Sequence, residues 1–305
     1  AGGCVRLGKD GIYNENFKYY KNEVKKLSKY QKKLGTKIAK NELSRRLGGE
    51  ANPTIYGSRN SSTWAGKINY NIIKNSKKVI ILVALHDFYD SPHVYGKFLF
   101  ADFQEWLNYL GGISERTDYK WYIKLHPSKK FKVITAEIIN IFLKKYKKFK
   151  VLNDEISHLS YVKKIDYVLT IHGNIAQEYA LFNKTVITGS PNGRFALYKY
   201  NINPKNFKSY NKILLNLQKK KKNSLKIDKS EVYFSHFTNR IYFHPNFFFN
   251  YDSFAKSVGW ENINNINAIK YWLKNFKKKE HDRISKKVIE FVYEAEKNNK
   301  YTRLR

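Results

Sequence analysis

The sequence is poor in several residue types, and each scarcity limits what the protein can be. It contains no Met and a single cysteine, Cys4. One cysteine excludes an internal disulfide framework and a cysteine-based zinc site. Since the chain also does not begin with Met, we expect a fragment of a longer protein, an engineered chain or an incompletely recorded sequence.

Long apolar runs are also missing. The longest, Val79 to Leu85, has the length of a strand and is too short to cross a bilayer. The first residues show no basic segment followed by an apolar one, so no signal peptide is visible. We therefore expect a cytoplasmic protein, with a peripheral position on the inner face of the plasma membrane as an additional hypothesis.

Acidic residues are scarce, with 25 Asp and Glu against 58 Lys and Arg, which gives a formal net charge of +33. Such a charge favours nucleic acid, anionic lipid or phosphorylated substrates as partners. The densest basic run is Lys219 to Lys222. We interpret it as a solvated linker in a lysine-rich chain. The alternative is attraction to an anionic membrane, where each basic residue contributes about 1 kcal/mol.

Residues 1–76 predict a helical and linker segment. Apolar residues recur at three- and four-residue intervals and predict one apolar face on a helix from Asn14 to Leu47; they are Phe17, Tyr20, Val24, Leu27, Tyr30 and Leu34. Gly48 and Gly49 end this helix. The following loop, 51–76, has Trp64 as its candidate anchor.

Residues 77–218 alternate between strand and helix patterns. Strands are predicted at 77–85, 119–125, 149–152, 166–171 and 185–188. Helices are predicted at 95–110, stopped by Gly111-Gly112, at 134–146, at 155–164 with Asp154 as N-cap, and at 175–182. This order predicts a Rossmann-like parallel sheet with helices on both faces. Residues 219–305 predict an aromatic-rich and helical C-terminal extension.

Polar residues follow four of the predicted strands. They are His86 and Asp87, then Lys124 and His126, then His172 to Asn174, and last Gly189 to Arg194. Ligands of open parallel sheets bind beyond the carboxyl ends of the strands. The sequence therefore predicts a binding site at this edge.

Two short motifs are candidates for phosphate and ribose binding. Lys124-Leu125-His126-Pro127 places a lysine and a histidine on one face of a strand end, where they could hold a phosphate, although a surface lysine and a turn histidine fit equally. In the second motif, His172 and Gly173 lead through Asn174 into a helix whose Glu178 could accept from ribose hydroxyls. Compensation of the helix dipole is the plainer explanation of Glu178.

Together, the two motifs resemble the C-terminal, donor-binding domain of GT-B type glycosyltransferases that build bacterial capsule and lipopolysaccharide, which carry a Lys-x-His-Pro motif. Some members use CMP-activated acidic sugars such as Kdo. Similar patterns occur in teichoic-acid glycerophosphotransferases and in UDP-N-acetylglucosamine 2-epimerases. The resemblance covers residues 77–198.

The resemblance implies a role for each matching residue. His126, with Lys124 and Pro127, would meet the nucleotide phosphates; Glu178 would hold the ribose; the backbone of His172, Gly173 and Asn174 would pass near the donor; Asn192 and Arg194 would help with the pyrophosphate or acidic sugar. It implies a nucleotide sugar as substrate, a polysaccharide or glycolipid acceptor, no cofactor and no metal. It also makes residues 1–76 the tail of a truncated acceptor domain.

The catalytic base is not fixed by the resemblance, because such enzymes commonly take it from the N-terminal domain. Within this chain, Asp87 and His86 are the candidates, since Asp–His pairs can transfer protons. A loop that only covers the cleft is the alternative. CDP-glycerol glycerophosphotransferase and UDP-sugar epimerase remain alternative activities. A basic nucleic-acid-binding protein is disfavoured, because the aromatic residues have core-like spacing rather than alternating with lysines.

Overall fold

The structure, a computed structural model, describes residues 21–22, 24–50, 63–88, 97–126, 132–219, 226–240, 257–258 and 265–297. Six strands form one sheet: β1 Ile80–Ala84, β2 Lys120–Lys124, β3 Phe149–Leu152, β4 Tyr167–Thr170, β5 Thr185–Thr188 and β6 Asn201–Ile202. Their order is β3-β2-β1-β4-β5-β6, and every neighbouring pair is parallel. This is the strand order of a Rossmann fold.

Eight helices accompany the sheet in the described part of the chain. They are α1 Lys29–Leu47, α2 Phe103–Glu115, α3 Lys132–Lys145, α4 Ile175–Leu181, α5 Phe207–Leu215, α6 Lys229–Arg240, α7 Ile266–Asn275 and α8 Lys278–Lys297. None of these helices is both long enough and apolar enough to cross a membrane.

The sheet is buried on both faces because its central strands have apolar side chains on each side. Ile81 and Val83 of β1 join a core with α2, α3 and α5, whereas Ile80 and Leu82 join a second core with α1, α4 and α6. Successive strand residues point to opposite faces, so a continuous apolar run suits a sheet covered twice. The predicted Rossmann-like sheet with helices on both faces is confirmed.

Both segments that flank the sheet contribute to its second core. Leu43 of α1 and Val232 of α6 belong to that core, together with Trp64 and Ile73. The proposed divisions at residues 76 and 218 stay predictions about domain boundaries. Helix α1, the loop around Trp64 and helix α6 therefore pack on the sheet.

The helix predicted from Asn14 to Leu47 is interrupted at Leu27 and Ser28, and α1 begins after the interruption. Of the predicted apolar face, Val24 is buried, Phe17 and Tyr20 lie outside the described residues, and the part on α1 is wrong in its orientation. Tyr30 and Leu34 are 74% and 45% exposed, and the buried residues of α1 are Gly35, Ala39 and Leu43. A side chain on Gly35 would overlap the ring of Phe237 on α6. Small residues therefore face α6, because they let the two helices approach closely.

Three other local predictions are wrong. The helix predicted at 95–110 begins only at Phe103, and Gly111 and Gly112 lie inside it and do not stop it. The helix predicted at 155–164 is a pair of 3₁₀ turns, His158–Ser160 and Val162–Lys164, and its N-cap is Ser157 in place of Asp154. β6 follows the last predicted strand and was not predicted, since two residues are too few for a periodic signal.

Candidate functional site

The loops after β1 and β4 meet at the carboxyl edge of the sheet. β1 and β4 are adjacent, and the chain leaves them in opposite directions across the sheet, because β2 lies beyond β1 and β5 beyond β4. This is the topological switch point, where the two crossovers leave a crevice. His86 and Asp87 follow β1, and His172, Gly173 and Asn174 follow β4.

Three side chains link the two loops at the floor of this crevice. The imidazole rings of His86 and His172 lie 4.4 Å apart between centroids. His86 Nε2 lies 3.2 Å from Thr170 Oγ1, and the backbone N–H of His172 points to the same Nε2 at 3.4 Å. A backbone N–H can only donate, so Nε2 is the acceptor and the His86 proton belongs on Nδ1.

Both histidines are held neutral. Burial lowers the pKa of His86 well below its usual value, and the nearby His172, His126 and Arg194 lower this pKa further. Burial, with a contribution from Arg194, lowers the pKa of His172 to about 3. Neutral imidazoles can donate and accept hydrogen bonds, but they add no fixed positive charge to the crevice.

Arg194, from the loop after β5, supplies a permanent positive charge. Its Nε and Nη2 donate to the carbonyl oxygen of His172 at 2.9 and 2.7 Å. The guanidinium carbon lies 4.8 Å from the centroid of the Phe195 ring. These contacts attach the β5 loop to the β4 loop, so the predicted positions 172 and 194 are brought together.

Asn192 and Ser190 connect the same loop to the chain that returns before α2. Asn192 Oδ1 accepts from the backbone N–H of Lys97 at 2.6 Å, and Ser190 Oγ donates to the Lys97 carbonyl at 2.5 Å. Asn192 thus holds a backbone amide, and its contribution to pyrophosphate binding stays a prediction. The segment 89–96, which includes the second Asp and His of the β1 loop, lies outside the described residues.

Lys124 and His126 lie at the end of β2 but in different surroundings. Lys124 is buried, and its Nζ donates to the carbonyls of Asn153 and Ile156 at 2.7 and 3.0 Å. Burial lowers its pKa to about 8. These bonds use two of the three N–H donors of the ammonium, so it can offer at most the third to a phosphate. His126 is half-buried and follows β2, which pairs with β1 so that Lys124 lies beside Ala84; His126 therefore lies near His86, whose pKa it lowers. Pro127 lies outside the described residues.

Glu178 has internal partners that sequence analysis did not find. Arg46 donates to its Oε1 and Trp64 Nε1 donates to its Oε2, the latter at 2.7 Å. The Glu178 side chain is only 3% exposed and that of Arg46 is 20% exposed. A ribose bound here would have to share these oxygens. The role of Trp64 as an anchor of its loop is confirmed, since it is buried in the second core.

His158 and Thr170 were also missed as parts of this region. The His158 ring lies 5.1 Å from that of Trp64, and its Nδ1 lies 2.9 Å from the hydroxyl of Tyr179. Burial, with Lys124 and Arg46 nearby, lowers the pKa of His158 to about 3. Thr170 belongs to a predicted strand. Its position as the last residue of β4 could have indicated that it lies at the site.

The arrangement is suited to binding an anion beside a half-buried carboxylate. Arg194, from the loop after β5, and His126, from the end of β2, both lower the pKa of His86, and the half-buried Asp87 follows His86 in the chain. Among the described residues, no three His, Cys, Asp or Glu side chains are grouped as a metal site would require. The fold defines a Rossmann-like protein, and the switch point of its sheet is the candidate ligand site.

Comparison with known proteins adds likeness in fold. The sequence matches no protein-family model and no curated protein. Solved structures similar to this chain include a UDP-GlcNAc 2-epimerase of Methanocaldococcus jannaschii in complex with UDP-GlcNAc and UDP, at 17% identity and a TM-score of 0.37 over 56% of this chain and 46% of that chain. The UDP complex of MnaA from S. aureus is similar at 15% identity and a TM-score of 0.37, over 57% of this chain and 48% of that chain.

A third similar structure is KpsC of Thermosulfurimonas dismutans, a β Kdo 2,4 transferase, at 15% identity and a TM-score of 0.42, over 77% of this chain and 70% of that chain. The chain spans slightly less than half the length of the M. jannaschii and S. aureus proteins. At such identities and TM-scores, these likenesses do not assign an activity to the chain.

Proposed function

We propose that the chain binds a nucleotide sugar in the crevice between β1 and β4 and transfers the sugar to a surface-polysaccharide or lipid-linked acceptor. The observation that carries the proposal is the convergence of His86, His172, His126 and Arg194 at the switch point of a parallel sheet. Anionic cofactors and substrates bind at this position in open α/β sheets. The resemblance of the two sequence motifs to GT-B donor domains adds the class of substrate.

In this proposal, the nucleotide phosphates lie against His126 and Arg194. A guanidinium and an imidazole donor stabilise the negative charge that develops as the bond between the anomeric carbon and the phosphate oxygen breaks. The acceptor hydroxyl attacks the anomeric carbon and its proton passes to Asp87. We assign His86 a positioning role, because its Nε2 already accepts from the His172 backbone.

The first test measures turnover of a panel of nucleotide sugars in the presence of glycan and lipid-linked acceptors. Release of the free nucleotide reports the turnover. Sugar transfer from CMP-Kdo or a UDP-sugar supports the proposal. Acceptor-independent conversion of a UDP-sugar into its epimer, or glycerophosphate transfer from CDP-glycerol, would replace it by one of the alternative activities.

Asp87→Ala is expected to reduce turnover at least about 100-fold, which is the ordinary contribution of a general base. Asp118→Ala is the control variant, because Asp118 is exposed and precedes β2, away from the carboxyl edge of the sheet. Equal turnover in Asp87→Ala and the native chain would remove Asp87 from the mechanism.

A further inference from the structure

Helix α7 exposes an apolar stripe. Ile266, Ile269, Leu273 and Phe276, the residue that directly follows the helix, recur at intervals of three and four residues and so line one face. They are 60%, 51%, 59% and 40% exposed, respectively. A different face of the helix is the buried one, where Ala268 is 2% exposed. Contiguous exposed apolar residues of this kind mark interaction sites.

Lysines run along this stripe. Lys270, Lys274 and Lys277 each follow a stripe residue by one position, so they form a parallel row beside it. Lys278 and Lys279 continue the positive charge into α8. All five lysines are exposed, and residues 265–279 contain no Asp or Glu. The stripe therefore combines apolar side chains with charge of one sign.

Aromatic contacts fix the bend between α7 and α8. The Phe276 ring lies 4.9 Å from that of Trp272 and 4.4 Å from that of His281 on α8. Trp272 also meets His281, at 5.7 Å. These contacts fix the stripe and its lysines relative to α8. Trp272 and Tyr271 have amphipathic rings, which favour a bilayer interface.

We propose that this face of α7 docks on an anionic phospholipid bilayer. The helix would lie in the plane of the surface, with the stripe among the upper acyl chains and the lysines at the lipid phosphates. A second copy of the chain fits poorly, because it would bring two rows of lysines together. Nucleic acid fits the lysines but offers no apolar surface to Ile266, Ile269 and Leu273.

The test is cosedimentation of the full chain with vesicles. We expect binding to phosphatidylcholine vesicles with roughly 30% phosphatidylglycerol, little binding to pure phosphatidylcholine, and weakening between about 0.1 and 0.5 M NaCl. The double substitutions Ile269→Ser with Leu273→Ser, and Lys270→Glu with Lys274→Glu, are each expected to lower partitioning at least tenfold. We expect both variants to fold, because all four residues are exposed. Circular dichroism verifies this.

Matched controls lie on α3 and in the turn that follows it. Ile141→Ser removes an apolar side chain that is 69% exposed, and Lys144→Glu with Lys147→Glu reverses two exposed charges. Both controls should retain most of the vesicle binding. The charge control should lose only the part that follows from its lower net positive charge. Stripe variants that bind like the native chain would overturn the proposal. So would equal binding to neutral vesicles, or a stripe substitution that only dissociates a dimer.

Discussion

At the scale of single residues, the ion pair between Arg46 and Glu178 joins the N-terminal helix to the helix that begins at the candidate site. Glu178 is 3% exposed in this pair, whereas the pair of Lys67 and Glu155 is 77% and 67% exposed at its two side chains. Loss of one partner of a buried pair leaves an uncompensated charge, whereas exposed pairs contribute little.

We therefore predict that Glu178→Gln lowers the free energy of unfolding by about 3 kcal/mol, because the Gln amide would turn a donor toward Arg46 or Trp64. Glu155→Gln is the matched control and should change it by less than about 1 kcal/mol. Urea denaturation measures both. Equal effects of the two substitutions would mean that the Arg46–Glu178 pair does not stabilise the fold.

The buried histidines predict a loss of stability in weak acid. His158 and His172 have pKa values lowered to about 3, and the unfolded chain takes up their protons near pH 6.5. Their contribution is complete above pH 6.5 and is lost as the pH falls toward 3, because only the unfolded state binds the protons in this window. The free energy of unfolding should fall by about 1 kcal/mol per pH unit for each histidine. A flat urea midpoint from pH 6.5 to pH 5 would contradict this.

Sequence analysis found the residues of the site better than their partners. His86, His172 and Arg194 were predicted from their places after strands, and the sheet brings them together for that reason. The partners of Glu178 and Lys124 come from chain segments far away in sequence, and no local pattern indicates such contacts. The predicted roles of Lys124, Asn192 and Glu178 toward a nucleotide must therefore be weighed against the bonds these side chains already make.

At the scale of elements, the loop that carries Trp64 is fixed by backbone pairing. Lys67 bridges to Ile156 in parallel fashion, and a Cβ on Gly66 would overlap the backbone of Glu155 and Ser157. Glycine is needed here because the two chain segments approach too closely for a side chain. By contrast, a Cβ on Gly112 in α2 would meet nothing within 4 Å.

These two glycines give a matched pair of predictions. Gly66→Ala should lower the free energy of unfolding by about 2 kcal/mol, because the backbone must shift to admit the methyl group. Gly112→Ala should raise it by about 0.5 to 1 kcal/mol, because alanine restricts the unfolded chain and favours the helix. Thermal or urea unfolding of the two variants measures both effects. A stabilising Gly66→Ala would show that the loop does not pack as described.

Sequence periodicity predicts an element correctly where tertiary contacts do not change its bounds or its type. Strands β3 and β5 have the predicted bounds because each is a short apolar run between turn signals. The glycines of α2 read as a stop, but Gly111 is needed where the Tyr146 ring packs against the helix. The segment at 155–164 forms two turns because its backbone pairs with the loop around Lys67. Tertiary contacts, which a local pattern does not contain, decided both cases.

At the scale of the whole molecule, one parallel sheet organises both the core and the candidate site. The two cores on its faces hold β1 and β4 side by side. The strand order changes direction between these two strands, because the chain proceeds from β1 toward one edge of the sheet and from β4 toward the other. Residues of α1 and α6, from opposite ends of the sequence, stabilise the same face of the sheet as α4. The site therefore depends on segments that the sequence alone would treat as extensions of a central domain.

The central claim is that a nucleotide binds in the crevice between β1 and β4, and isothermal titration of the full chain with CMP, CDP, UDP and GDP tests it most directly. We predict that one nucleotide binds selectively and that His126→Ala weakens it at least about tenfold, while His281→Ala, on α8, leaves it unchanged. CMP selectivity would favour an acidic-sugar donor, and UDP or CDP the alternative substrates. Absence of binding by all four nucleotides, or equal binding by His126→Ala, would contradict the account.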